Sequence, residues 1–127
     1  MSPESTTALG RKAEDLACRH LEARGLRLLE RNYRCRAGEL DLVMLDGSTL
    51  VLVEVRSRSS SAYGDAASTV GARKRLRFIR AARHLLLARP DYRRLQARFD
   101  VVAIDPGSTA EAGPKLTWIR DAFRASG

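Results

Sequence analysis

Gly38-Glu39-Leu40-Asp41-Leu42-Val43-Met44-Leu45-Asp46-Gly47-Ser48-Thr49-Leu50-Val51-Leu52-Val53-Glu54-Val55-Arg56 is the stretch that decides the fold. Residues 40–45 and 50–55 are two β-rich apolar runs, and Asp46-Gly47-Ser48-Thr49 between them is a turn signal, so the segment reads as a β-hairpin. Three acids, Glu39, Asp41 and Glu54, interrupt strands that are otherwise suited to burial. A carboxylate in such a run costs several kcal/mol unless something pairs with it. The hairpin therefore needs a reason for its acids.

Strand parity supplies one. A turn at Gly47-Ser48 sets Asp46 against Thr49 and Asp41 directly opposite Glu54. A turn at Asp46-Gly47 shifts the pairing by two residues and leaves the two acids diagonal on one face. Arg56 projects from that face too. Adjacent carboxylates repel unless a cation lies between them, and hard oxygen ligands on rigid strands suit Mg²⁺ or Mn²⁺ rather than Zn²⁺. A guanidinium beside them would hold a phosphate oxygen. The constellation fits metal-assisted phosphodiester cleavage. The same spacing serves equally for a cross-strand salt bridge from Arg56 to Asp41 or Glu54.

Residues 38–43 followed by Val53-Glu54-Val55-Arg56-Ser57-Arg58 resemble the signature of the YraN-like family of small uncharacterised bacterial proteins. That family is grouped with the restriction-endonuclease-like PD-(D/E)XK nucleases, and the resemblance extends to archaeal Holliday junction resolvases. It covers residues 10–105. It implies Asp41 and Glu54 as metal-binding acids, with Arg56 at the motif's lysine position. It also implies Glu14 as the helix-borne glutamate that completes the site. Arginine does not release its proton, so Arg56 cannot be a general base and is left to orient water or steady negative charge. Resolvase-like relatives act as symmetric dimers, which implies a homodimer on two-fold branched DNA.

Composition agrees with a nucleic-acid partner. A chain of 127 residues with 44% hydrophobic content is expected to be one nuclease-like domain, residues 1–127. Its net charge of +8, carried mostly by arginine, calls for a polyanion, DNA before RNA. An arginine-rich solvated surface would give the same total. Cys18 and Cys35 are too few for a zinc knuckle or a disulfide framework and read as reduced thiols. The sequence carries no phosphate-cradling glycine loop, zinc spacing or internal repeat, which argues against ATP and zinc. Without a charged-then-apolar leader or an apolar run of spanning length, a cytoplasmic, non-membrane protein is expected.

Around the hairpin, the pattern predicts an α/β fold. It is a restriction-endonuclease-like core, with a mixed β-sheet flanked by helices on both faces, because the hairpin strands are apolar on both sides. Residues 1–7 read as a flexible lead-in. Leu9, Ala13, Leu16, Ala17 and Leu21 recur at helical spacing up to Gly25, a natural stop, with Glu14 at the margin of that stripe. His20 reads as a packed residue. Residues 26–36 form a charged first strand at a sheet edge, in which Tyr33 either packs on the first helix or stacks on a base. Residues 57–67 read as a small-residue loop, and Ser68 or Thr69 caps a second helix that ends before Pro90.

Ala72, Leu76, Ile79, Ala82 and Leu86 are that helix's expected core stripe. Arg73, Arg77, Arg80 and His84 form a row at spacings of four, three and four, a phosphate rail or else a solvated face. Lys74 points elsewhere, and with Arg58 is assigned to nucleic-acid binding. Residues 98–104 are a buried strand beside the hairpin. Its Asp100 either pairs with a basic neighbour or, with Glu39, supports the metal ligands. Residues 106–114 form a loop, 115–120 an edge strand anchored by Trp118, and 121–127 a tail.

A second function class stays open beside the nuclease. A retired nuclease fold would bind nucleic acid without metal or catalysis, and Arg56 in place of lysine favours it. A third is a protein-interaction module whose basic faces meet an acidic partner.

Overall fold

The hairpin turns at Gly47-Ser48. β2 (Gly38–Asp46) and β3 (Thr49–Ser57) run antiparallel with Asp46 opposite Thr49 and Leu42 opposite Val53. Gly47 occupies the first central position with φ 63°, a conformation that disfavours a side chain. Of the two registers compatible with the sequence, this one carries Asp41 towards Glu54. The structure, a computed structural model, describes residues 2–57, 64–105 and 113–123.

Three strands extend the hairpin into a mixed sheet of order β1-β2-β3-β4-β5. β1 (Arg27–Cys35) is antiparallel to β2, β4 (Gln96–Asp105) is parallel to β3, and β5 (Lys115–Phe123) is antiparallel to β4. A parallel neighbour requires a crossover. Here α2 (Gly64–Ala88) and a 3₁₀ turn over Pro90–Arg94 provide it. α1 (Ser2–Glu22) precedes the sheet.

The strands are apolar on both sides because each face has its own helix. Leu50, Leu52 and Phe99 pack with Phe78, Ala81 and Leu85 of α2. Leu42, Met44, Val51, Val53 and Val102 pack with Ala17 and Leu21 of α1. Each fully buried aliphatic side chain contributes roughly 1.5–3 kcal/mol relative to an exposed one. This is the expected α/β arrangement, compatible with a restriction-endonuclease-like core. No described helix is long and apolar enough to cross a membrane.

Gly25, φ 97°, ends α1 as anticipated: Leu26 N–H donates to the Leu21 carbonyl and Gly25 N–H to that of Glu22, the Schellman arrangement. Other boundaries move. α1 starts at Ser2, so the expected lead-in belongs to the helix. α2 starts at Gly64 rather than at a Ser68 or Thr69 cap. β5 continues to Phe123, whose ring stacks on Phe99 at 4.9 Å, so the first residues of the expected tail are sheet and core.

The apolar stripes also rotate. Phe78, Ala81, Ala82 and Leu85 are the buried positions of α2, while Leu76 is 47% exposed. The aromatic Phe78 wins the sheet-facing position because it removes more apolar area from water than Leu76 would. In α1, Cys18 is buried and Leu16 is exposed. Tyr33 packs on the α2 side of the sheet rather than on α1, and its hydroxyl is hydrogen-bonded to His84 Nδ1.

Candidate active site

A break in strand alternation creates the site. Leu40 belongs to the α2-side cluster and Leu42 to the α1-side cluster, although residues two apart on a regular strand share a face. The break falls at Asp41. On β1 the matching position is Asn32, flanked by the Arg31–Leu42 and Tyr33–Leu40 pairs and held at φ 54°. Asn tolerates this left-handed conformation better than most residues. Accordingly, Arg31 reaches α1 while Tyr33 reaches α2. The β2–β3 pairing ends at Leu42–Val53, and beyond it Asp41 Oδ2 accepts the Val55 backbone N–H at 2.7 Å.

Asp41 and Glu54 consequently line one cavity of about 420 Å³, together with Glu39, Lys74, Arg77 and Phe78. α2 closes its roof at a tight contact. A Cβ on Gly38 would lie 3.1 Å from the Arg77 carbonyl oxygen, so any larger residue would push the helix back by a few tenths of an ångström. Lys74 follows from the same helix geometry. Positions 74, 78, 81 and 85 share one stripe, and the last three are buried against the sheet.

Glu54 is 1% exposed and fully neutralised. Arg56 donates Nε to Oε2 at 3.0 Å and Nη2 to Oε1 at 3.5 Å. From α2, Lys74 Nζ reaches Oε2 at 3.4 Å. Asp41, in contrast, has no ion pair among the described residues. Burial pushes its carboxyl from the ordinary 3.8 up to about 7. The Val55 N–H opposes that rise, the charges of Glu14 and Glu39 add to it, and Lys74 opposes it.

The other expected site residues divide. Glu14 is held by Arg31 at 3.5 Å, beside Asp15 at 2.6 Å from the same guanidinium. It influences Asp41 through charge but does not line the cavity, and among the described residues no three His, Cys, Asp or Glu side chains converge to hold a metal. Glu39 sits at the mouth, paired to Arg34 at 3.1 Å. Asp100 is not behind the ligands. It is fully buried on the α1 side of the sheet, accepting from Arg98 Nε at 3.0 Å, Trp118 Nε1 at 2.9 Å and Asp121 N–H at 2.9 Å. β4 is in the expected place, but strand parity turns Asp100 away from the cavity.

Arg73, Arg77 and Arg80 are exposed along α2, with Arg77 reaching the cavity wall. Arg58 lies outside the described residues. Lys74 lies off the arginine row, as expected, but its place at Glu54 follows only from a core stripe through Phe78, not from the expected one through Leu76.

The chemistry of this donor set suits a hard divalent cation. Mg²⁺-type ions are bound through one or two carboxylates and complete their shell with water and substrate phosphate. Asp41, whose carboxyl burial pushes up to about 7, is the residue whose ionised form such an ion would stabilise. Asp41 and Glu54 are the pair placed to hold it.

Comparison with known proteins adds the family. A model described as "Uncharacterised protein family UPF0102" matches residues 13–104. A UPF0102 protein of Dechloromonas aromatica is 51% identical over 122 residues, covering 96% of this chain and 93% of its own length. One from Pseudomonas aeruginosa is 49% identical over 122 residues, covering 96% and 97%. A third, from Stutzerimonas stutzeri, is 52% identical over 117 residues, covering 91% and 94%.

Proposed function

The chain belongs to the uncharacterised protein family UPF0102, a restriction-endonuclease-like family, and on that premise we propose that it is a Mg²⁺- or Mn²⁺-dependent endonuclease. It hydrolyses nucleic-acid phosphodiesters, with branched or flapped DNA as the substrate class. The observation that carries this reading is the meeting of Asp41 and Glu54 in one cavity beside Lys74 and Arg77. Asp41 and Glu54 would hold the ion, and Glu14, paired to Arg31 outside the cavity, would act on it only through its charge or a water. When bound, the ion neutralises the scissile phosphate and lowers the pKa of an attacking water. Arg56 fixes the Glu54 carboxylate and steadies developing negative charge. The α2 arginines hold the flanking backbone without reading sequence. The resolvase resemblance supports a symmetric dimer.

One observation favours a non-catalytic nucleic-acid-binding protein instead: the basic partners of Glu54 already satisfy it. Incubation with flap, junction and single-stranded substrates separates the two, with and without Mn²⁺, alongside Glu54→Gln. Metal-dependent cleavage by the unaltered protein and none by Glu54→Gln is the expected result. Retention of all substrates with cleavage of none would leave the binding role.

A further inference from the structure

The two cations on Glu54 are not equivalent. Arg56 lies on the same strand, forks over both carboxylate oxygens and is the more enclosed, at 32% side-chain exposure. Lys74 arrives from another element, touches one oxygen at 3.4 Å and leaves 56% of its side chain in solvent. Its ammonium is a point charge on a flexible four-carbon stem, whereas guanidinium is a rigid fork. Of the two, Lys74 is the less tightly held and the one that can leave.

The choice of lysine is itself informative. The 23 basic residues comprise twenty arginines and only three lysines, Lys12, Lys74 and Lys115. One of the three is at the acid pair.

While Lys74 is seated, a divalent cation entering between Asp41 and Glu54 meets an ammonium already bonded to one of its ligands. Displacing that ammonium into water costs its ion pair to a buried carboxylate. A phosphate at the cavity mouth changes the balance. Arg77 lines the same cavity three positions further along α2, so a backbone phosphate held there offers the ammonium a second anion.

We propose that Lys74 is an exchangeable counter-ion that couples metal entry to nucleic-acid binding. In the free protein it occupies Glu54; a backbone phosphate draws it off and opens the carboxylate pair to the ion. This rests on the nuclease reading above and adds its regulation: the site loads metal when substrate is present. Linkage is reciprocal, so the ion strengthens nucleic-acid binding by the same factor.

The test is Mn²⁺ uptake followed by paramagnetic resonance at about pH 8.5, where Asp41 is ionised. The unaltered protein, Lys74→Gln and Lys74→Arg are each titrated with and without a short DNA duplex, the duplex's own uptake being subtracted. Circular dichroism confirms that each variant is folded. For the unaltered protein the duplex should tighten uptake by roughly tenfold, the size of an ordinary coupling between sites. Lys74→Gln should take up Mn²⁺ more tightly than the unaltered protein when alone, and gain little from the duplex. Lys74→Arg should keep the coupling. Uptake by Lys74→Gln alone, with none by the free unaltered protein, would support the same conclusion in its strongest form. Equal or weaker Mn²⁺ affinity of free Lys74→Gln overturns the proposal, and if both proteins still cleave DNA the nuclease reading survives it. No uptake by any protein, with or without duplex, ends both the coupling and the metal-dependent reading.

Discussion

Asp41 Oδ2 accepts the backbone N–H of Val55 at 2.7 Å, so the carboxylate replaces a main-chain acceptor where the hairpin ladder ends. One side chain thereby closes the strand pairing and presents a carboxyl to the cavity. Burial makes that arrangement costly whenever the group is ionised.

Asp41 therefore controls stability in a definite pH window. The unfolded chain ionises it near 3.8, whereas the folded chain keeps the proton until about 7. The folded state binds more protons between those values, so stability falls as pH rises from about 4 to about 7. Asp41→Asn keeps an acceptor for Val55 and removes the charge. In urea denaturation with a chelator present, it should match the unaltered protein near pH 4 and exceed it at pH 8, by up to about 4 kcal/mol. An equal difference at both pH values would refute the assignment. Mn²⁺ should restabilise the unaltered protein at pH 8 and leave Asp41→Asn unmoved, since a ligand that binds only the folded state stabilises it.

The Asp100 cluster is structural. Its carboxylate collects Arg98, the Trp118 indole N–H and the Asp121 N–H, and Arg98 also reaches Asp46 at 3.0 Å. Asp100→Ala leaves those donors without their acceptor and should cost about 3–5 kcal/mol. Chemical denaturation monitored by Trp118 fluorescence measures the loss directly. Mn²⁺ affinity, read on protein that remains folded, should not change, because Asp100 lies across the sheet from the cavity.

Gly38 sets the spacing between α2 and the acids. Gly38→Ala forces the Arg77 backbone away from a contact at 3.1 Å, which should cost about 1–3 kcal/mol, as overpacking does. A lower melting temperature together with altered Mn²⁺ uptake is the expected pair of results. A melting temperature equal to that of the unaltered protein would show that the helix yields freely.

Arg73 and Arg80 are exposed on α2 and do not line the cavity. As phosphate contacts, each replaced by Gln should lower the slope of log affinity against log salt by about 0.9 on duplex DNA. The measurement is fluorescence anisotropy across a salt series in chelator. An unchanged slope would assign these arginines to the solvated surface, and affinity indifferent to salt would favour an acidic protein as the partner.

How much of the site could be read depended on how local its cause was. A short turn fixes the register of neighbouring residues and so brings Asp41 towards Glu54, whereas the break in alternation at Asp41 is set by the packing of the two faces and leaves no local signal. The contact of Lys74 with Glu54 was not legible, because a helix stripe read from sequence has several near-equal solutions and only the sheet decides that Phe78 rather than Leu76 goes inward. Asp100 has the basic partner that the sequence allowed, in Arg98, but being on the right strand does not fix which side of the sheet a residue faces, so its distance from the acids was not legible.

By itself, then, the sequence determined the hairpin and its acids, both helices, the basic character of α2 and the family, since each rests on local pattern or residue identity. The tertiary structure decided which charges share a cavity. It brought Lys74 to Glu54, tied Glu14 to Arg31 and turned Asp100 to the opposite face. The physical reason is that a charge's partner is set by distance in three dimensions, and those distances are fixed only when helices separated in sequence pack onto the two faces of one sheet.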